Sequence, residues 1–341
     1  MKLEDFDYQL PEELIAVRPP AERGTTRLLV LDKRTGAVQD SFYRQLPDSL
    51  KPGDLLVINN TKVIKARLQT LTESGAEREL LLLEKHGHQQ STHAMKVMYR
   101  RSLKPGQQLR LNQHVITVES INDDGTAVIS SPTDLLQLAD LFGSVPLPPY
   151  MHRQADKADI ERYQTVFAKE TGSVAAPTAS LNLTNNILEA ICAKGIQMAE
   201  LTLHVGLGTF MPIRTSDITQ HTMHQEYFEL PLATATAIRQ TKQAGGRVIA
   251  IGTTVTRTLE YAAPQLADAS KDITGEADIF IYPGYTFQVV DAMVTNFHAP
   301  HSTVLMMAAA FAGWDNLRQA YEHAKQSQYN FLSYGDSMFI H

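Results

Sequence analysis

The segments Gln108-Leu-Arg-Leu111, Val115-Ile-Thr-Val118 and Thr126-Ala-Val-Ile-Ser130 decide the first part of the fold. Apolar and polar residues alternate along them, and Asn122-Asp-Asp-Gly125 supplies a turn signal before the third. Alternation with turn signals every 8–12 residues or so is typical of a small antiparallel β-barrel or sandwich. The same texture covers residues 67–131 without a helical pattern, so this region predicts an antiparallel β module.

Helices alternate with strands in the later part of the sequence. The predicted helices are Asn185–Lys194 after a Thr184 cap, Leu232–Gln243, one that begins near Thr254, and one that follows a Ser302 cap and ends at Ala312. The predicted strands are Met198–Val205, Arg247–Ile251, Ile279–Tyr282 and Asp291–Thr295. Such alternation predicts an α/β layer or barrel, because helical crossovers place successive strands in one sheet.

The N-terminal part has strand patterns of its own at Arg27–Leu31 and Asp54–Ile58. It is too short to bury a core alone, so we expect it to pack with the later α/β region. Val145-Pro-Leu-Pro-Pro-Tyr150 suits the return crossing, because prolines stiffen a connector. We therefore predict a discontinuous α/β main domain, barrel-like or layered, from residues 1–66 plus 146–341, with residues 67–145 as an inserted small antiparallel β-barrel domain.

Composition narrows the class of protein. The sequence has 341 residues, 43% of them hydrophobic, and a net charge of −6. This length predicts about two domains, and the mild acidity counts against nonspecific binding of duplex DNA. The single cysteine, Cys192, lies inside a predicted helix, where we expect a buried, inert thiol.

The cysteine count and the distribution of apolar residues predict the cellular compartment. A chain with one cysteine fits a reducing compartment better than secretion. The beginning of the sequence is acidic and lacks the apolar stretch of a signal peptide. The longest apolar run, Val304–Trp314, is about half of the roughly 20 residues that a membrane-spanning helix needs. We therefore expect a cytoplasmic protein without a membrane partner.

Polar residues follow several predicted strands, where ligands gather in α/β folds. His204 lies near the end of one predicted strand, which the Gly206-Leu-Gly208 turn follows. Thr253, Thr254 and Arg257 begin the helix after another. A glycine turn lets a ligand approach the backbone closely, and a helix N-terminus offers unpaired N–H groups to an anion or a nucleoside. An ordinary turn and an ordinary helix cap explain these residues equally well at this point.

Two further segments carry polar residues that could bind a ligand. Asn296 and His298 precede a helix capped by Ser302, and this arrangement suits a carboxylate or a ribose. Tyr334 and Asp336 flank a glycine near the end of the sequence, where a simple turn is the alternative. The GxSxG, phosphate-loop and GxGxxG patterns are absent, which disfavours hydrolase and dinucleotide chemistry.

A metal site and a nucleic-acid face are the remaining candidates. His221, His224 and Glu226 lie within six residues, but HExxH is absent and loop histidines usually face solvent, so we predict no metal. Basic residues cluster in two places, and these are Lys62, Lys65 and Arg67 together with Lys96, Arg100, Arg101 and Lys104. A solvated face is one explanation of this clustering, and phosphate contact along RNA is the other.

Taken together, the motifs of the chain resemble one family from end to end, the S-adenosylmethionine:tRNA ribosyltransferase-isomerases of the queuosine pathway. The motifs that carry the resemblance are Phe6–Ala16, Gly53–Asn59, Ala66–Leu68, Val145–Tyr150, Tyr163–Val166, Ala175–Ala179, Thr202–Phe210, His221–Glu226, Gly252–Thr254, Arg257–Glu260, Tyr282–Tyr285, Thr295–His298 and Ser333–Asp336. The resemblance implies a main α/β domain with a six-stranded barrel insertion.

The resemblance also implies a reaction. The ribosyl part of S-adenosylmethionine passes to the aminomethyl group of preQ1, a 7-deazaguanine at the tRNA wobble position, and rearranges to an epoxycyclopentanediol. Epoxyqueuosine-tRNA forms while adenine and methionine leave. The implied partners are S-adenosylmethionine as co-substrate and tRNA carrying preQ1, with no metal or redox cofactor, and we expect a monomer.

The resemblance assigns roles to the candidate residues. The proton-transfer and orienting candidates are His204, His298 and Asp336. The candidates for binding S-adenosylmethionine are Thr178, Gly208, Thr209, Thr253, Thr254, Arg257, Asn296 and Tyr334. The candidates for binding RNA are Lys62, Lys65, Arg67, Arg100 and Arg101.

Four positions depart from the family pattern. Val17, Asn60, Asn182 and Asn330 stand where the family usually has Gln, Asp, His and Arg. These departures keep two alternatives open. One is a noncatalytic RNA-binding or regulatory paralogue, and the other is a ribosyltransferase that acts on a free small-molecule amine.

Overall fold

The computed structural model describes residues 1–83, 92–206, 208, 213 and 215–341. The first elements in chain order are β1 (Arg27–Leu31), β2 (Val38–Phe42), α1 (Leu46–Ser49), β3 (Leu55–Asn59) and β4 (Thr61–Val63). All five residues of β3 are buried, because four of them are apolar and the strand lies in the middle of the main sheet.

Six strands and a helix follow, and these are β5 (Arg67–Thr72), β6 (Glu77–Leu82), β7 (Ala94–Arg100), β8 (Gln108–Leu111), β9 (His114–Ile121), β10 (Thr126–Ser130) and α2 (Leu135–Phe142). The strands close an antiparallel barrel in the order β10-β7-β6-β5-β8-β9, which confirms the predicted six-stranded barrel. Its core holds the inward side chains of the alternating strands together with Leu135 and Leu138 of α2. The carboxylate of Asp134 caps α2 by accepting hydrogen bonds from the N–H groups of Leu136 and Gln137.

The chain leaves the main domain and returns to it at one place. The N–H of Arg67 donates to the carbonyl of Ser144 over 3.1 Å, and the N–H of Ser144 donates to the carbonyl of Arg67 over 3.0 Å. An inserted module needs such adjacent crossings, because the host chain must continue where it was interrupted. The domain boundaries 1–66, 67–145 and 146–341 stay a prediction.

The remaining elements are α3 (Lys157–Arg162), β11 (Glu170–Ser173), α4 (Asn185–Ala193), β12 (Gln197–Leu203), β13 (Glu226–Leu230), α5 (Leu232–Gln243), β14 (Val248–Ile251), α6 (Thr253–Leu266), β15 (Ile273–Ala277), β16 (Ala292–Asn296), α7 (Thr303–Ala312), α8 (Trp314–Gln326) and β17 (Ser337–Ile340). The main sheet has the strand order β15-β13-β12-β3-β14-β16-β17-β1-β2. Its central strands β12, β3, β14 and β16 are parallel, and both edges are antiparallel. A small parallel pair, β4 with β11, stands apart.

Both faces of the main sheet are covered by helices. Leu56 and Ile58 of β3 face a core shared with Ile187 and Ile191 of α4. Leu55 and Val57 alternate with them and face the other core, to which α5, α6, α7 and α8 contribute. The main domain is therefore α/β, as predicted, and it is layered, not barrel-like. No helix in the described ranges is long and apolar enough to cross a membrane.

Two sequence predictions are wrong. Ile279–Tyr282 forms no strand, because the neighbouring Ile273–Ala277 pairs with β13 and the ring of Phe280 packs against Tyr282 and His221. Cys192 is exposed, because α4 buries its Ile187 and Ile191 side, and the residue after Ile191 points about 100° away around the helix.

Candidate functional site

A cavity of about 280 Å³ lies beyond the carboxyl ends of β14 and β16. These strands are parallel neighbours, so the segments that follow them meet at one edge of the sheet. Gly252 makes the turn from β14 into α6 with a φ of +98°, a conformation that favours glycine. The cavity is lined by Pro149, Tyr150, Ala176–Ala179, Val205, Gly252–Thr254, Thr295, Asn296, His298–Ser302, Val304, Leu332 and Ser333.

Five of the predicted site residues line this cavity, and these are Thr178, Thr253, Thr254, Asn296 and His298. Two of them are joined directly, since the hydroxyl of Thr178 donates to Oδ1 of Asn296 over 2.9 Å. Thr254 is linked to the end of β3, whose Asn59 amide lies 3.4 Å from the Thr254 hydroxyl. The cavity wall is therefore built from hydroxyl, amide and imidazole groups on separate segments of the chain.

His298 is neutral at physiological pH in this environment. Its Nε2 lies 2.7 Å from the hydroxyl of Thr295, and burial lowers the pKa of the imidazole to about 3. The backbone around it is fixed as well, because its N–H donates to the hydroxyl of Tyr321 over 2.9 Å and its carbonyl accepts a hydrogen bond from Tyr8. The ring is thus held in one place at the cavity wall.

Two helix N-termini reach the same cavity. α6 begins at Thr253, and α7 begins after Ser302, whose hydroxyl accepts a hydrogen bond from the N–H of Leu305 over 3.2 Å. The first N–H groups of a helix have no partner within the helix, so they attract anionic groups. Among the described residues, the lining includes no Asp, Glu, Lys or Arg. The cavity therefore attracts anionic groups through the N-terminal dipoles of α6 and α7.

His204 lies behind the cavity wall. It is buried, its Nδ1 is 2.8 Å from the hydroxyl of Thr61, and its ring stacks on that of Tyr227. The next residue, Val205, lines the cavity. The structure thus places His204 one residue away from the lining.

Asp336 and Tyr334 bind other parts of the protein. The Asp336 carboxylate accepts hydrogen bonds of 2.7 Å from the N–H groups of Arg27 and Asn330. Its backbone carbonyl, in contrast, lies 3.4 Å from the amide nitrogen of Asn296. The Tyr334 hydroxyl donates to Asp159 over 2.8 Å. Both side chains support the cavity from behind, and neither is among the lining residues.

Arg257 forms a buried ion pair. Its Nη2 lies 2.8 Å from Oε2 of Glu226 and also donates to the carbonyls of His224 and Ala277. Glu226 in turn accepts a hydrogen bond of 2.8 Å from the N–H of Gly206. Arg257, Thr253 and Thr254 border a smaller space of about 20 Å³ beside the main cavity. The guanidinium therefore connects α6 with the loop after β12.

The loop after β12 carries the other two predicted ligands. Gly208 lies against the ring of His224 so closely that a Cβ on Gly208 would be 2.0 Å from Cδ2 of that ring. A larger residue at this position would require the His224 ring to move. Thr209 lies outside the described residues.

A larger groove, which we call the interdomain groove, separates the barrel from the connector. It measures about 1020 Å³ and is lined by Arg67, Gln69–Leu71, Glu77, Glu79, Arg100, Arg101, Ser144, Val145 and Leu147–Pro149 with His152–Ala155. Three predicted RNA-binding residues, Arg67, Arg100 and Arg101, are among them. Lys65 instead holds Asp140 of α2 at 3.0 Å, and Lys62 is exposed on β4.

Comparison with known proteins places the chain in a family. A family model described as "Queuosine biosynthesis protein" matches residues 3–340. The S-adenosylmethionine:tRNA ribosyltransferase-isomerases of Chlorobaculum parvum and Geobacter sulfurreducens are 55% and 46% identical, each over 100% of both chains. The chain belongs to this ribosyltransferase-isomerase family. The crystal structure of the S-adenosylmethionine tRNA ribosyltransferase from Thermotoga maritima is also similar, with a TM-score of 0.56 and 33% identity over 99% of this chain and 100% of that one.

Family membership confirms the resemblance seen in the sequence and makes the chain an enzyme of the transferase-isomerase class. In this protein, the side chains of His221, His224 and Glu226 contact other protein groups. His221 packs against Phe280, His224 against Gly208, and Glu226 binds Arg257. The described residues contain no cluster of three His, Cys, Asp or Glu side chains placed to hold a metal ion.

The four departures from the family pattern lie away from the cavity lining. The amide of Asn60 donates to Glu200 over 3.0 Å and accepts from the hydroxyl of Thr202 over 2.7 Å, a pairing that uses both ends of an amide. Asn182 donates to the carbonyl of Gly335. Val17 and Asn330 are exposed.

Sequence reasoning missed three residues of the candidate site. Tyr150 and Ser333 line the cavity, and the Tyr150 hydroxyl donates to Ser333 Oγ and accepts from its N–H. Burial raises the pKa of Tyr150 to about 12. Asn59 joins the ends of β3 and β12 through 3.0 Å hydrogen bonds with Leu203. An amide at the end of an apolar strand was the available signal for Asn59.

Proposed function

We propose that this protein uses S-adenosylmethionine to modify tRNA, as the names of its relatives state for them. In the reaction, the ribosyl group passes to the aminomethyl nitrogen of preQ1 at the wobble position and rearranges to the epoxycyclopentanediol of epoxyqueuosine. Adenine and methionine are released. The observation that carries this proposal is the cavity at two helix N-termini, whose described lining holds no Asp, Glu, Lys or Arg, with neutral His298 beside the Thr178–Asn296 pair.

The cavity suits a co-substrate with separate anionic and polar parts. The first N–H groups of α6 and α7 that no cap occupies would bind a carboxylate, and Thr178, Asn296, Thr253 and Thr254 would bind hydroxyl or base nitrogens. We assign Arg257, Tyr334 and Gly208 to positioning these groups. Thr209 remains a predicted ligand.

The chemistry needs a neutral amine and a proton acceptor. A sulfonium acidifies the neighbouring C5′ proton, so a positioned base can remove it. Burial that lowers the pKa of His298 also lowers that of an amino group beside it, which keeps the attacking nitrogen unprotonated. His298 is our first candidate for proton transfer. We propose that His204 and Asp336 act from behind the wall, by orienting its backbone.

The RNA would bind from the side of the barrel. Arg67, Arg100 and Arg101 lie in the interdomain groove, which shares Pro149 with the cavity. We propose these arginines, with Lys62 and Lys65, as the RNA-binding residues. A monomeric state and a cytoplasmic location stay predictions, as does the absence of any further cofactor.

Release of adenine tests the function directly. The protein is incubated with S-adenosylmethionine and preQ1-containing tRNA, and adenine is measured. Tight tRNA binding without adenine would establish a noncatalytic RNA-binding paralogue. Equal release with free preQ1 in place of tRNA would establish a small-molecule ribosyltransferase.

Substitution of His298 tests its part in the mechanism. We expect His298→Ala to lower the single-turnover rate by about 10²–10⁴, the usual contribution of a proton-transfer group. His204→Ala should lower it less, because His204 lies behind the wall. His323→Ala, which removes a surface histidine paired with Asp40, is the control. A rate for a folded His298→Ala variant equal to that of the control would remove His298 from the mechanism.

A further inference from the structure

The barrel wall of the interdomain groove presents two rows of outward side chains on three adjacent strands. Strand pairing aligns Arg67, Leu81 and Met98 in one row and Gln69, Glu79 and Arg100 in the next. Arg67 and Glu79 line the interdomain groove itself, and Leu81 and Met98 border its continuation beside Leu147 and Pro148. The wall therefore presents the guanidinium groups of Arg67 and Arg100 beside an apolar strip formed by Leu81 and Met98.

Glu79 lies at the centre of this wall. Its carboxylate accepts hydrogen bonds from Nη1 of Arg67 over 2.6 Å and from Nε2 of Gln69 over 2.9 Å, and it lies 3.4 Å from Nε of Arg100. Burial raises the pKa of Glu79, but the hydrogen bond from Gln69 and the charges of the arginines outweigh it and lower the pKa overall. Arg100 is 78% exposed, so this carboxylate occupies only part of its hydrogen-bonding capacity.

The interdomain groove adjoins the cavity. Pro149 lines both spaces, and Tyr150 follows directly in the cavity wall. A polymer that places one unit in the cavity would therefore extend its neighbouring units along the groove. The partner's chemistry follows from the wall, since nucleotide bases stack on flat or apolar side chains while phosphates pair with arginine.

We propose that the interdomain groove binds the unpaired nucleotides next to the nucleotide that enters the cavity. Their bases pack on Leu81, Met98 and Pro148, and their phosphates bind Arg100, Arg101 and Arg67 in place of Glu79. This inference rests on the proposed function. It adds that the bound nucleotides are unpaired, that Leu81, Met98 and Pro148 contact their bases, and that Glu79 competes with their phosphates for the arginines.

Two substitutions separate the two kinds of contact. Arg100→Glu should weaken binding of an anticodon-arm RNA hairpin at least tenfold. It should also lower the slope of log Kd against log salt concentration by the amount expected for the loss of about one phosphate contact. Met98→Asp should also weaken binding severalfold, through lost stacking contact and an added charge. Met98→Ser removes the contact without a charge, and we expect it to weaken binding while leaving the salt dependence unchanged.

Lys96→Glu is the matched control for the charge change. Lys96 is on the same strand, pairs with Asp124 over 2.8 Å and does not border the groove. Thermal unfolding checks that each variant is folded. Hairpin affinities of Arg100→Glu and Met98→Ser equal to that of Lys96→Glu would overturn the proposal. Equal competition by poly-glutamate of the same charge would overturn the RNA assignment in favour of an acidic peptide.

Adenine release in the same samples separates this inference from the proposed function. Weakened hairpin binding by Arg100→Glu, with adenine release restored at saturating tRNA, supports both. Weakened hairpin binding by the groove variants, when even the unaltered protein releases no adenine, supports the groove and refutes the transfer reaction.

Discussion

The arginine contacts of Glu226 and of Glu79 differ in burial. Arg257 and Glu226 are 2.8 Å apart with side chains 8% and 2% exposed. In the interdomain groove, Arg67 and Glu79 are 2.6 Å apart with side chains 25% and 18% exposed, and Arg100, 78% exposed, shares the same carboxylate. Arginine and glutamate thus meet inside the protein at Glu226 and within reach of a ligand at Glu79.

This difference separates a structural connection from an exchangeable one. The buried pair is completed by internal partners, namely the N–H of Gly206 and the carbonyls of His224 and Ala277. A buried charge that loses its partner cannot be solvated, so this pair holds α6 and the loop after β12 in one arrangement. The arginines of the groove keep access to water and can change partners at low cost.

The largest expected effect comes from breaking the buried pair. Glu226→Ala leaves the Arg257 guanidinium uncompensated and should lower the free energy of unfolding by about 3–5 kcal/mol. Chemical denaturation measures it. The double variant Glu226→Met with Arg257→Met should recover part of the loss, because it leaves no unpaired charge. A loss no larger than that of Glu79→Ala would contradict the distinction between the two pairs.

The second expected effect is a pH dependence of the free energy of unfolding that comes from His298 in the cavity wall. Burial lowers the pKa of His298 from 6.5 to about 3, so between these values the unfolded chain binds more protons than the folded one. The contribution of this neutral histidine to stability is therefore fully present above pH 6.5 and is lost as the pH falls toward 3. We expect the free energy of unfolding of His298→Gln to depend less on pH between 7 and 4.5 than that of the unaltered protein.

His152→Asn is the control for this measurement. His152 is exposed and has a φ of +47°, a conformation that Asn also adopts. Its variant should keep the pH dependence of the unaltered protein. A pH dependence of His298→Gln equal to that of His152→Asn would show that folding does not lower the pKa of His298.

Much of the fold could be predicted from local signals. α5 and α7 match their predicted bounds, because Gly245-Gly246 ends the first and Ser302 caps the second. β13 and β17 were missed, since their pairing depends on partners far away in the chain. Ile279–Tyr282 shows the reverse case, in which an apolar run has strand character and finds no strand partner.

The candidate site was predictable where strand order alone sets the geometry. Asn296 ends β16 and His298 follows it, Thr253 and Thr254 follow β14, and these parallel neighbours bring all four to one cavity. Arg257 was predicted as a ligand residue because its sequence neighbours are polar. That its charge is taken by Glu226 depends on how β13 packs against α6, which local sequence does not encode.

The exposed pair should change stability least when its carboxylate is removed. Glu79→Gln keeps the side-chain volume and removes the anion that binds Arg67 and Arg100, so it should change the free energy of unfolding by less than about 1 kcal/mol. Hairpin RNA should bind about threefold more tightly, because both arginines become available to phosphate.

Asp124→Asn is the control for Glu79→Gln, since it makes the same change in net charge at the Lys96 pair outside the groove. It should leave RNA affinity nearly unchanged. If the two variants bind the hairpin equally well, net charge alone accounts for the gain, and Glu79 does not compete with phosphate. A gain confined to Glu79→Gln would show that an internal carboxylate limits RNA binding at the groove while the buried pair beside the cavity keeps its structural role.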